Sequence, residues 1–299
     1  MRIGLGLPHY GPALVDASAL RRFATRVEEL GYDSLWGADR LFMPLELNTP
    51  YPGGDGQLES YRERVGRFAD PLAVVASLAA VTSRIRFNFS TLNAPLYEPV
   101  QLARMLTTLD FLSDGRLGAG FGLGWMREEY DALDVPWSHR GRRLDDLLSF
   151  LNAWWTTNPV TFDSPLLSLS LPPTQVDLRP IQAGGPPIWL AGASEAALRR
   201  VGRRATGWLG FDGLPDAYLT ALWTSARRAA EEAGRDPDSL QRAIRINVEP
   251  GESTAHIAER LSRVAESGAE EALVDFFLAC STIDELLDAA QSLIEDKSW

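Results

Sequence analysis

The sequence predicts one (β/α)8 barrel domain over residues 1–299, with insertion loops after the second strand and before the fifth. Three observations predict it. Short β-like runs alternate with amphipathic helical stretches from end to end, the runs number eight, and 299 residues suit a single barrel of this kind. Parallel neighbours require a crossover helix, which the alternation supplies. An open doubly wound sheet is the alternative. It normally carries a glycine fingerprint after its first strand, and that position here reads GLPHYG.

The predicted strands are residues 2–7, 33–38, 84–91, 116–122, 187–192, 207–211, 243–249 and 272–278. The first helix starts after Asp16, repeats Leu20, Phe23, Ala24, Val27 and Leu30 at helical spacing, and stops at Gly31. The next takes Asp70 as N-cap and Pro71 as its first residue. A third Pro-started helix places Leu102, Met105, Leu106, Leu109 and Leu112 on its buried stripe. The last opens with a capping box, Thr282 and Glu285, ahead of Ile283, Leu286, Leu287, Ala290 and Ile294. Residues 41–69 and 159–186 break the repeat. Loops of that length in a compact domain are functional or disordered, and the first leaves the strand end where barrel sites sit.

Composition removes several functions. A net charge of −11 argues against nucleic acid or an anionic membrane as partner. The one lysine, Lys297, stands three residues from the end, leaving no ammonium for a phosphate loop, a Schiff base or a lysine base. Lone Cys280 excludes an intramolecular disulfide and fits a reducing cytoplasm. His9, His139 and His256 have no zinc spacing, so no metal is expected. No run of 18 apolar residues exists to span a membrane.

The stretch GRLGAGFGLGWMREEY carries glycines at 118, 120, 122 and 124. The register fails the G-x-G-x-x-G rule, but in a strand it puts all four on one face. A bare strand face marks close approach by another backbone or by a flat ligand.

Barrel chemistry is expected just past the strand ends. These offer His9 and Tyr10, Asp39 and Arg40, Ser90 to Asn93, Trp125 with Glu128 and Glu129, then Asp212, Glu249 and Asp275. Ala191, Gly192, Ala193 and Ser194 form either a phosphate turn at a helix start or a tight turn with Ser194 as N-cap. Trp125 reads equally as core, and the two glutamates as a solvated first helical turn. Asp275 within an apolar strand is expensive unless hydrogen-bonded, and is expected at the barrel floor. GxSxG is absent.

Taken in order, IGLGLPHYG, AEELG-like RVEELGYDSLWGADR, SRIRFNFSTLNAPLYEPVQLARMLTTLDFLSDGRLGAGFGLGWMREEY and PPIWLAGASEAALRRVGRRATGWLGF resemble the luciferase-like monooxygenase superfamily, barrels binding FMN or the deazaflavin F420. LWGADRLFMP, YPGGDG and GLGWMREEY look most like its F420-dependent branch. The resemblance implies a cofactor ring at the barrel mouth. Asp39 matches a position facing it; Ser90, Thr91 and Leu92 match a segment that often carries a bulge or non-proline cis peptide behind it. Gly122, Gly124 and Glu128 match the fourth strand's cofactor-side end, and Ala191 to Ser194 the phosphate turn. Tyr10 and Trp125 are the substrate-binding candidates, and Asp39, Arg40 and His9 the catalytic ones. Relatives oxidising sugar phosphates carry a His where Arg40 stands and an acid where Trp125 stands, which speaks against that substrate. Arg62, Arg64, Arg67, Arg140 and Arg142 are candidates for an acidic cofactor tail or for plain surface charge.

The expected function is hydride exchange between F420 and a small organic substrate. The alternative is an FMN-dependent monooxygenase that uses O2 and a partner flavin reductase. From other classes, a glycoside hydrolase would use two of Asp39, Glu128, Asp212 and Glu249, and a non-catalytic cofactor binder would use none. Family analogy implies a homodimer, with the helix over residues 70–82 as its face.

Overall fold

A computed structural model describes residues 1–51, 61–62 and 64–296; YPGGDG beyond Tyr51, and Lys297, lie outside the described residues. The main sheet has nine strands in the order β3-β2-β1-β11-β10-β9-β8-β5-β4, every pair parallel. They are β1 Arg2–Gly6, β2 Ser34–Gly37, β3 Arg86–Phe89, β4 Leu92–Asn93, β5 Ala119–Gly122, β8 Ile188–Ala191, β9 Gly207–Phe211, β10 Gln241–Asn247 and β11 Glu271–Asp275. β3 and β4 are two pieces of one barrel strand. The ring closes where Phe87 N donates to Arg116 O at 2.9 Å and Gly118 N to Phe87 O at 2.7 Å. The eight-fold barrel expected from the alternation is therefore present.

The helices are α1 Ala17–Leu30, α2 Pro71–Ala79, α3 Pro99–Leu112, α4 Arg127–Ala132, α5 Arg140–Thr156, α6 Glu195–Arg204, α7 Asp216–Glu232, α8 Thr254–Glu266 and α9 Ile283–Asp296. Asp16 caps α1 by accepting from Ala19 N, and Gly31 ends it at φ +94°. Asp70 caps α2 in the same way. Thr282 and Glu285 form the expected box before α9.

Two expectations change. On α3 the buried stripe is Leu102, Ala103, Leu106, Thr107, Leu109 and Asp110, whereas Met105 and Leu112 are 40% and 50% exposed. Asp110 turns inward because its carboxylate takes the backbone and side-chain amides of Gln182, rotating the helix from its purely apolar face. Residues 159–186 are not a loop throughout: β6 Val160–Ser164 and β7 Leu169–Thr174 pair as an antiparallel hairpin.

Alternate strand residues point to opposite sides of the wall. Outward ones such as Leu5, Leu35, Phe87, Phe121 and Ile244 pack under the helices. Inward ones form a separate cluster of Trp36, Trp189, Leu209, Ala243 and Leu273 that fills the barrel. Glu271 closes the floor: it accepts from Trp36 Nε1 at 2.9 Å and from the Ser34 hydroxyl, and pairs with Arg2 at 3.2 Å. Among the described residues no helix is long and apolar enough to cross a membrane.

Candidate active site

Two buried polar networks stand at the C-terminal ends of the strands. The first is built from β1, β10, β11 and the end of β3. Arg245 points into the barrel from β10 and spends its donors on the wall: Nη2 on Asp275 at 2.5 Å, Nη1 on Ser90 O at 2.8 Å, Nε on Asn247 at 2.8 Å. Asp275 also accepts from the Tyr10 hydroxyl at 3.1 Å and Phe277 N at 3.0 Å. Burial, then the Asp275 charge, drives the Tyr10 phenol well above its usual pKa. Asp275 is thus hydrogen-bonded, as its burial requires, but at the mouth; the floor carboxylate is Glu271.

The second network joins the loop after β2 to β4 and α4. Asp39 accepts from Asn93 N at 2.9 Å and the Tyr97 hydroxyl at 3.0 Å, and burial raises its pKa. Arg40 pairs with Glu129 at 3.2 Å, the two side chains 5% and 0% exposed. Its guanidinium lies over the Trp125 ring, 4.7 Å from the centroid. Burial raises the Glu129 pKa as well, against the pull of Arg40. Glu129 is no solvated helix-start residue, because it carries the partner of a buried cation.

Several candidates are committed elsewhere. His9 is fully buried, with Nδ1 2.8 Å from Leu7 O and Nε2 2.8 Å from Ala38 O, so neither ring nitrogen is free for a substrate. Glu128 takes Asn48 N, Thr49 N and the Thr49 hydroxyl, pinning the loop after β2. Leu92 is fully buried within the outer core, which leaves only its backbone toward the mouth. Asp212 is paired with Arg260 at 2.7 Å. Arg64 donates to Phe277 O and Cys280 O, Arg67 to Leu14 O, and Arg62 to Leu45 O. Arg140 stacks on Trp137, and Arg142 reaches His139 at 2.7 Å.

The glycine face is filled by the chain itself. A Cβ at Gly118 would sit 1.8 Å from Asn88 Oδ1, at Gly120 1.7 Å from Phe89 O, and at Gly122 2.3 Å from Thr91 Oγ1. At Gly124, φ is +68° and Asn93 Oδ1 is 3.1 Å away. Against Gly118, Gly120 and Gly122 the close neighbours are protein atoms, one backbone carbonyl at Gly120 and the Asn88 and Thr91 side chains on either side of it, while Gly124 meets only the Asn93 side chain at 3.1 Å. These glycines let the β3–β4 break bend inward, and the Ser90–Thr91 peptide there is cis, as the resemblance implies.

Above the networks lies an aromatic cluster from four separate segments. Tyr51 and Tyr61 stack with centroids 4.8 Å apart, and Tyr51 meets Trp125 edge-on at 5.2 Å. Tyr61 reaches Phe277 at 6.4 Å, and Phe277 reaches Tyr10 at 5.4 Å. Burial, then Tyr61, pushes the Tyr51 phenol up to about 12. Tyr51, Tyr61, Phe277 and Arg245 thus join the site beyond the candidates named from sequence, and Glu129, a strand-end candidate, joins it as the partner of Arg40.

To the side, Gly192, Ala193 and Ser194 are exposed and lead directly into α6. Ser194 accepts from Ala197 N as N-cap, and Gly192 sits at φ +130° where a Cβ would strike Ala197. Small exposed residues at the start of a ten-residue helix fit a phosphate group. Among the described residues no cluster of metal-ligating side chains is present.

Residues 2–292 match the family model of the luciferase-like monooxygenases. A Mycobacterium tuberculosis relative, the uncharacterized protein Rv0940c, is 30% identical over 273 residues, covering 89% of this chain and 88% of its own. Among solved structures, a riboflavin lyase (RcaE) with modified FMN and riboflavin aligns with a TM-score of 0.77 at 15% identity, covering 99% of this chain and 92% of that one. An F420-dependent secondary alcohol dehydrogenase holding an F420-acetone adduct aligns at 0.75 and 16%, covering 98% of each chain. At such identities the structures speak for the fold. This chain belongs to the luciferase-like monooxygenase family, and it is an enzyme. Solved relatives use F420 or FMN.

Proposed function

We propose that this enzyme exchanges a hydride between F420 and a small organic alcohol or carbonyl compound. The observation that carries a phosphate-bearing cofactor is the exposed turn of Gly192, Ala193 and Ser194 at the start of α6, beside a barrel mouth floored by buried polar groups. The choice of F420 and of an alcohol or carbonyl is supported by the F420-branch resemblance of GLGWMREEY and by the F420-dependent alcohol dehydrogenase of like fold. When bound, the deazaflavin supplies the redox chemistry, and the protein supplies orientation and electrostatics.

Backbone N–H groups at the start of α6 would hold the phosphate, with the helix dipole in support. Ser90, Thr91 and the backbone of Leu92 would shape the ring seat, with Gly122 and Gly124 letting that segment in. Asp39, buried at the mouth and hydrogen-bonded by Asn93 N and the Tyr97 hydroxyl, would hold or pass the proton that accompanies the hydride. Arg40, fixed by Glu129, would set the local field. His9 is left out because both its nitrogens face carbonyls. Tyr10 and Trp125 would wall the substrate.

The second reading, an FMN-dependent monooxygenase with a partner flavin reductase, draws on the FMN-bearing relative. Titration separates them: anaerobic bleaching of F420 with substrate supports the first, and steady O2 uptake with reduced FMN the second. A homodimer in the cytoplasm completes the proposal. Its face is α2 with α3, where Met105, Phe111 and Leu112 of α3 and Val81 just past α2 are exposed. A sedimentation mass of one chain would contradict it. The net charge of −11 disfavours nucleic acid as partner.

A further inference from the structure

We infer that the substrate is an uncharged molecule carrying an aromatic ring. The inference rests on the hydride-transfer proposal for taking the barrel mouth as the substrate's seat.

Five rings from separate parts of the chain, Tyr10, Tyr51, Tyr61, Trp125 and Phe277, meet over the strand ends. They pack at edge-on, tilted and stacked angles, the arrangements aromatic quadrupoles favour. A flat ring entering among them replaces ring–ring contacts with contacts of the same kind. Beneath the rings Arg40 is neutralised by Glu129 at 3.2 Å and Arg245 by Asp275 at 2.5 Å, and Arg64 beside Phe277 has Nη1 committed to the Phe277 and Cys280 carbonyls. Glu249 is exposed at the end of β10. An anionic substrate would find these cations spent and would meet a carboxylate at the rim. A neutral ring loses little hydration and meets ring faces.

Equilibrium dialysis of 2-acetylnaphthalene against 2-naphthoate, matched in shape and differing in charge, tests this with and without F420 present. The neutral ketone is expected to be retained at least about tenfold more tightly, a difference of about 1.4 kcal/mol. Trp125→Ala is expected to lower that retention about tenfold; Phe277→Leu gives the same direction should the first variant not fold. Glu129→Gln leaves Arg40 uncompensated and is expected to raise naphthoate retention. Equal or tighter naphthoate binding by the wild type would overturn the inference, as would ketone binding indifferent to both ring variants or absent in both arms. Because the readout is retention rather than turnover, failure to reduce F420 counts against the hydride proposal alone.

Discussion

Glu128 and Glu129 are adjacent on α4 and hold the same loop at two points. Glu128 takes the amides of Asn48 and Thr49, while Glu129 takes the amide of Leu41 and the guanidinium of Arg40. The loop after β2, which brings Tyr51 to the mouth, is therefore fastened by one half-exposed and one fully buried carboxylate. The two fastenings respond differently to pH and to mutation.

The Glu128 fastening is released by acid. Burial works to raise its pKa, but the Thr49 hydroxyl and the amides outweigh it and hold the value below the usual 4.5. A depressed folded-state pKa contributes stability present above the unfolded value and lost as pH falls through the folded one. Amide exchange at Asn48 and Thr49 should rise as pH drops below about 4.5, after correction for intrinsic exchange. In Glu128→Gln the protection should already be low at pH 7 and change little with acid.

Glu129 should matter to the whole fold. Glu129→Ala strands the Arg40 guanidinium in a buried site, a change that costs about 3 kcal/mol or more. Urea denaturation should show that loss. An Arg40→Met, Glu129→Leu double variant should recover most of it, since apolar replacement of a buried pair is near neutral. A loss under 1 kcal/mol in the single variant, within the range of about 0–1 kcal/mol for exposed pairs, would show the pair to be solvated.

The glycine face makes a graded prediction. Gly120→Ala drives a methyl into the Phe89 carbonyl and should cost about 3 kcal/mol as overpacking. Gly124→Ala meets only a 3.1 Å contact, and its left-handed φ should cost about 1–2 kcal/mol. Thermal midpoints of the two variants check the order.

Much of this was legible in the sequence, and what was not has physical causes. Alternation of strand and helix gave all eight barrel positions, and cap residues such as Asp16, Asp70 and Thr282 marked real helix starts. The spacing of Gly118, Gly120, Gly122 and Gly124 announced a bare face, but the identity of the neighbour depends on strand order and on the β3–β4 break, which spacing does not encode. For Glu129 the sequence leaves a site carboxylate and a solvated first helical turn equally open, and only the arrival of Arg40 from far away in the chain decides between them. Asp110 is hidden for the same reason, its partner Gln182 lying far along the chain, whereas Asp275 is legible as a hydrogen-bonded carboxylate and only its place at the mouth rather than the floor is not. Tyr51 and Tyr61 sit in a turn-rich stretch with no periodicity to flag them.

The turn after β8 gives a local test of cofactor binding. Ala193→Asp puts a negative charge at an exposed helix start without touching the core. It should weaken F420 or FMN binding by at least about tenfold and leave the thermal midpoint within about 2 °C.

The central claim is that the mouth of this barrel holds a deazaflavin whose phosphate rests at the start of α6. Fluorescence titration of the purified protein with F420 and with FMN tests it most directly. The account predicts micromolar affinity for F420, much weaker affinity for FMN, and loss of the F420 signal in Ala193→Asp. Tight FMN binding with no response to F420 would contradict it.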